Sequence, residues 1–179
     1  MADIHLNSVR TGAVLSDLPF PLDEKRPSTV SALDELLGQT WNIGNGGFAR
    51  LVRADGARAT PGKMLFIYSD TDAFDVVQST TAGDTIIPCG VCHENLESLD
   101  DNDFFFLING LPGTFIKCID AGAGSSAGAY IQATAAGECV TDGALNAIPG
   151  VSFAKIVVTA AADADCTLQL ITTMLGTVA

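Results

Sequence analysis

The chain is 179 residues long, 47% hydrophobic but only 7% aromatic, with a formal net charge of −12. A chain of that length can bury about 70% of its unfolded surface in one core without staples, and a field of that sign repels phosphate backbones, which excludes nucleic acid and anionic lipid as partners. The charge is lopsided: residues 1–63 balance seven bases against seven acids, whereas residues 64–179 set two bases, Lys117 and Lys155, against fourteen acids and so carry the whole excess.

No run approaches the ~20 apolar residues of a membrane-spanning helix, and the N-terminus MADIHLNSVR lacks the basic flank and apolar stretch of a secretory signal. Five dispersed cysteines, Cys89, Cys92, Cys118, Cys139 and Cys166, make an odd count. That suits a reducing cytosol, where cysteine behaves as a small buried apolar residue.

Residues 1–27 keep no period, and Pro19, Pro21 and Pro27 push their predecessors toward extended geometry. The segment reads as an arm. Its apolar residues, Ile4, Leu6, Val9, Val14, Leu15, Leu18, Phe20 and Leu22, are too many for a solvated tail, so something must cover them, either a partner surface or the chain's own domain. Residues 28–37 (STVSALDELL) are the one helix candidate, with Ser28 or Ser31 as cap, Asp34 and Glu35 early, and Gly38 as stop. Residues 1–40 are therefore expected to form an arm with a short helix, and 41–179 a β domain.

From Phe48 the apolar period switches toward two. GFARLVRA runs into the turn signal Ala54-Asp55-Gly56-Ala57, which predicts a hairpin, and KMLFIY (63–68) is apolar on both faces. FDVVQST (74–80), TIIPCGVCHE (85–94), DFFFLING (103–110) and GTFIKCID (113–120) follow. AGAYIQATA (127–135), FAKIVVT (153–159) and CTLQLIT (166–172) close the chain. About nine short strands with Gly, Asp, Asn or Pro turns, and no helical pattern between them, predict an all-β compact barrel or sandwich.

Cys89-Gly-Val-Cys92-His93 has the C-x-x-C-H spacing of c-type haem attachment. In a strand, residues three apart face opposite ways, so both thiols could not reach one macrocycle. Zinc needs four clustered N/S ligands, and only one pair is present. Ala121-Gly-Ala-Gly-Ser-Ser-Ala-Gly128 precedes a strand rather than a helix that could hold a phosphate. Asp70-Thr-Asp72-Ala-Phe-Asp75 and Asp100-Asp101-Asn102-Asp103 lack EF-hand spacing and read as solvated turns. Two histidines, His5 and His93, are the whole stock of near-neutral bases. No nucleophile–base motif is visible, so no catalytic residue, cofactor or metal is expected.

Taken in order, five segments resemble the decoration (cement, or head-stabilising) proteins of tailed bacteriophages. Ala59-Thr-Pro-Gly62-Lys-Met-Leu resembles the family's G-x-x-L strand, and Cys89-Gly90-Val91 its short (A/C)-G-V strand. Asp103-Phe-Phe-Phe-Leu-Ile-Asn-Gly110 with Thr114-Phe-Ile-Lys117 is similar to its D-x-x-x-V-x-x-G hairpin. Ala127-Gly128-Ala-Tyr-Ile-Gln-Ala-Thr134-Ala-Ala-Gly137 and Pro149-Gly150-Val151-Ser-Phe-Ala154 resemble its last two motifs. The likeness covers about two-thirds of the chain and leaves the first 40 or so residues unmatched. It implies a trimer on the outer capsid surface that bridges major capsid subunits and stabilises the shell, made in the host cytoplasm, with no catalytic residues. The alternative is a sugar- or receptor-binding head-fibre module, for which Trp41, Tyr68 and Tyr130 are the candidate aromatic platform.

Overall fold

The computed structural model describes residues 18–69, 74–78, 87–121, 124–134, 137–141, 152–161 and 163–174. They carry β1 (Thr40–Gly44), β2 (Gly47–Ala54), β3 (Leu65–Tyr68), β4 (Asp75–Gln78), β5 (Gly90–Cys92), β6 (Phe104–Gly110), β7 (Phe115–Ile119), β8 (Tyr130–Ala133), β9 (Cys139–Thr141), β10 (Ala154–Ile156) and β11 (Asp165–Leu170). The all-β expectation holds. Two of the strands, β1 and β9, were not among the nine expected.

The chain builds its two sheets one after the other. In the first, β2 bonds to β4 and to β6, so a closed circuit runs β2–β4–β3–β5–β6 and back to β2, with β1 beside the first half of β2. The second is antiparallel in the order β7–β11–β10–β8–β9. It curls until Asp120, just past β7, bridges Cys139 of β9, and the Ala121 N–H donates to the Cys139 carbonyl at 2.8 Å.

The predicted hairpin at Ala54–Ala57 does not form. β2 leaves that turn without pairing with β3; its partner over seven residues is β6, from Gly47↔Gly110 to Arg53↔Phe104. The tight turn lies at the other end of β2, where Asn45 and Gly46 take φ of 51° and 79° between β1 and β2. Both central residues of a type I′ turn need positive φ, and Asn-Gly supplies them at least cost.

Period two sorts the strand residues into three cores. Val52, Ala54, Phe66, Val76, Cys92, Phe105 and Leu107 fill the interior of the closed sheet. The opposite faces of β3 and β5 send Leu65, Ile67 and Val91 into a second core, against Ile116, Ile131, Ile156, Leu168 and Leu170 of the other sheet. Ala49, Leu51, Phe104 and Phe106 point outward from β2 and β6 and are covered by the N-terminal segment. Phe104-Phe105-Phe106-Leu107 is thus apolar throughout because both faces of β6 are buried.

The helix candidate is a 3-10 helix, Ser31–Leu36, not an α-helix. Neither Ser28 nor Ser31 caps it: Val30 is the N-cap and makes no side-chain cap bond. Ten residues between Pro27 and Gly38 are too few to sustain an isolated α-helix. Leu33 and Leu36, three apart, both pack on the β2/β6 face, which suits three residues per turn. Gly38 follows the helix at φ 78°.

Candidate functional site

Of the seven arm residues expected to make contacts, Ile4, Leu6, Val9 and Leu15 lie outside the described residues. Leu18, Phe20 and Leu22 form a strap on the chain's own body. Phe20 is buried, its ring centroid 4.7 Å from that of Phe106, and Leu18 and Leu22 pack beside it half-buried. Two backbone hydrogen bonds between Arg26 and Phe104, at 2.9 and 2.8 Å, stitch the strap to β6. The Lys25 ammonium then reaches the carboxylates of Asp100 and Asp103 at 2.7 and 2.8 Å. Phe20 therefore belongs to this chain's core, while Leu18, Pro19, Pro21 and Leu22 line a shallow apolar groove of about 530 Å³ on its rim.

A second surface was missed in the sequence. Along β7, Phe115 and Lys117 are exposed while Ile116 and Cys118 are buried. Register places Phe115 opposite Gln169, Gln169 opposite Lys155, and Lys155 opposite Tyr130. One row thus crosses four strands on the outer face of the second sheet. Phe115 is 60% exposed and Leu111, in the turn before it, 59%. At the other end, the Lys155 ammonium lies 4.4 Å from the centroid of the Tyr130 ring. Alternation along GTFIKCI already put Phe115 on the face of Lys117, a signal that it was not core.

The chemical motifs dissolve into structure. Cys89 and Cys92 do not face opposite ways: the strand is only Gly90–Cys92, Cys89 precedes it, and both thiols enter the same apolar core. Burial pushes each up to about 12. Cys89 donates to the Phe66 carbonyl at 3.2 Å, and His93 stays outside that core. Asp75 pairs with Arg53, and Asp100 and Asp103 with Lys25, so these carboxylates are not simply solvated turns. Asp70 and Asp72 lie outside the described residues. Among the described residues no three His, Cys, Asp or Glu side chains are set to hold a metal ion, and no helix is long and apolar enough to cross a membrane.

The three aromatic candidates are not brought together. Trp41 packs edge-on to Phe106, 5.6 Å away at 87°. Tyr68 accepts a hydrogen bond from Arg50 beside the interior of the closed sheet. Tyr130 lies on the outer face of the other sheet.

No protein-family model and no curated protein matches the chain. Among solved structures it is similar to the N base of the head fibre gp8.5 of bacteriophage phi29, at 20% identity and a TM-score of 0.51, over 69% of this chain and 93% of that one. The likeness is one of fold.

Proposed function

We propose that this chain is a non-enzymatic structural protein of a phage head, seated on the outer capsid surface as a homotrimer that bridges major capsid subunits and stabilises the shell. The observation that carries this reading is the fold similarity to a head-fibre base, spanning nearly all of that base. The resemblance of the ordered strand motifs to decoration proteins supports the capsid-binding part of it. The acidic excess of residues 64–179 suits a body turned to solvent, away from any nucleic acid. Contacts at several capsid subunits reinforce one another because one trimer holds them together. The protein would be made in the host cytoplasm, and its five free thiols fit a reducing compartment.

The test is light scattering of the full chain alone, then sedimentation with purified phage heads. Trimer mass and saturable co-sedimentation are the expected results; a monomer that stays in the supernatant rejects the proposal. The arm is best probed by deleting residues 1–17, which leaves the Phe20 strap and Lys25 in place. Loss of binding with an unchanged melting temperature assigns capsid contact to that segment, and retained binding removes it.

A receptor- or sugar-binding head-fibre module is the second reading. What favours it is the outer row with Phe115 exposed at one end and Tyr130 at the other, on a fold like a head-fibre base. Glycan-array binding that is lost in Phe115→Ala would select it; a blank array would dismiss it.

A further inference from the structure

We propose that Cys139 and Cys166 are a latent cross-link, and that two-electron oxidation joins them into a disulfide that locks β9 to β11. The two sulfurs are 3.3 Å apart, and the Cys166 thiol also points at the Cys118 carbonyl, 3.3 Å away. A disulfide needs about 2.05 Å between sulfurs, so the gap closes by little more than 1 Å. The third thiol, Cys118, is the register partner of Cys166 across β7 and β11. Cys89 and Cys92 are in another core and contact none of the three.

The location gives the bond a consequence. β9 is three residues long and pairs with β8 on one side. On the other side, one bridge between Asp120 and Cys139 ties it to the end of β7. Directly beside that seam, Asp120 is fully buried and neither carboxylate oxygen has a hydrogen-bond partner among the described residues. A buried carboxyl group without partners costs free energy, so the curled end of the sheet is held by few favourable contacts. A covalent tie between residues 27 apart in sequence removes conformations from the unfolded chain and holds the seam shut.

With a peroxide as oxidant the chemistry balances. One thiol is oxidised to a sulfenic acid as the peroxide O–O bond breaks and one water leaves. The second sulfur then displaces the sulfenic oxygen as a second water, so two thiols and one peroxide give one disulfide and two waters. The reaction is slow in the folded state, because both thiols are buried and hold their protons well above the usual thiol range. Cys139 is held by its contact with the Cys118 thiol and by burial, against an opposing contact with Cys166, and Cys166 by its contact with Cys139 and by burial. The cross-link thus forms after transfer to oxidising surroundings, over long exposure or during local opening of β9.

The full chain is incubated with hydrogen peroxide, with and without sub-denaturing urea, then mapped by mass spectrometry without reductant and melted before and after reduction. Expected are a loss of two hydrogens, one linked peptide pair containing Cys139 and Cys166, and a melting temperature that rises on oxidation and falls back on reduction. Cys118→Ser keeps the linked pair, and Cys139→Ser and Cys166→Ser lose it. A link through Cys118, or no link even in urea, overturns the proposal. A linked protein that melts no higher than the reduced one overturns the locking role. None of these outcomes depends on capsid binding.

Discussion

Arg53 and Asp75 face each other across the one parallel strand pair among the described residues, with Nε to Oδ1 at 2.8 Å and Nη2 to Oδ2 at 3.1 Å. That pairing covers two register positions, Arg53↔Asp75 and Ala54↔Val76, yet it joins β2 to β4 in the closed circuit. A two-donor fork on a carboxylate fixes orientation as well as distance, so the ion pair sets the register where the backbone offers little.

Asp75 is buried and Arg53 mostly so. Asp75→Ala should therefore cost about 1–3 kcal/mol, below the full penalty for an orphaned buried charge because the guanidinium still reaches water. Asp34, 3.8 Å from Arg53 and half exposed, can take up only part of the loss. Urea denaturation measures it, and a change within error of zero would show that β4 is held by apolar packing alone.

Phe20→Ala tests whether the strap belongs to the fold. Its ring fills a site made by Phe106, Leu33 and their neighbours, and removing a buried phenyl ring costs about 3 kcal/mol or more. The expected signature is a lower urea midpoint together with faster proteolysis near residues 18–30. Unchanged stability would make the strap a detachable arm.

What could be read in the sequence was what period two and turn chemistry express locally. The outward–inward alternation of β7 and β11 was legible, and so was the burial of LFIY on both faces. Pairing over distance was not: nothing in GFARLVRA names β6 as its partner, with Phe48 opposite Asn109. Asn45-Gly46 was a readable hairpin signal and was passed over for Asp55-Gly56. Cys89 and Cys92 were misplaced because the strand proved three residues long, so the alternation rule did not extend to Cys89. Of the candidate surface, Leu18 and Leu22 were found from the excess of apolar residues in the arm. Phe115 was readable from the alternation that sets it on the face of Lys117, although its apolar neighbours give it the look of core.

Gly90 should not tolerate a side chain. A Cβ there would lie 2.8 Å from the Leu107 Cβ and 3.1 Å from the Ile108 carbonyl oxygen. These atoms belong to the paired strand β6 and cannot swing away. Gly90→Ala is expected to destabilise by about 1–3 kcal/mol through overpacking, read from thermal melts. An unchanged melting temperature would show that β5 can slide outward.

Buried thiols make the fold sensitive to alkali. Cys89 and Cys92 are pushed by burial from 9.0 up to about 12, so the folded state keeps protons that the unfolded chain releases. Their stabilisation is complete below pH 9 and is lost as the pH climbs toward 12; each could contribute up to about 4 kcal/mol over that span. Lys25, whose bonds to Asp100 and Asp103 raise it despite opposing desolvation, loses its contribution in the same direction above 10.5. Urea midpoints should hold steady through neutrality and fall from pH 9 upward, less steeply in Cys92→Ala. Native protein should also resist a thiol reagent that labels all five cysteines after unfolding. A flat profile across that window, or prompt labelling of native protein, would contradict the burial.

The outer row separates adhesion from folding. Phe115 is more exposed than covered and sits opposite Gln169, so Phe115→Ser should leave stability within about 0.5 kcal/mol, as surface changes do. If this face meets a capsid or a second copy, the same change removes an aromatic anchor, and anchors carry about 2 kcal/mol or more of binding. That corresponds to roughly a thirtyfold loss of affinity, measured as co-sedimentation with heads and as trimer mass. Leu111→Ser, in the adjoining turn, should weaken the same interaction and not another. Full binding and full trimerisation in the double variant would move the contact elsewhere, and the groove beside Leu18 and Leu22 would be the next surface to alter.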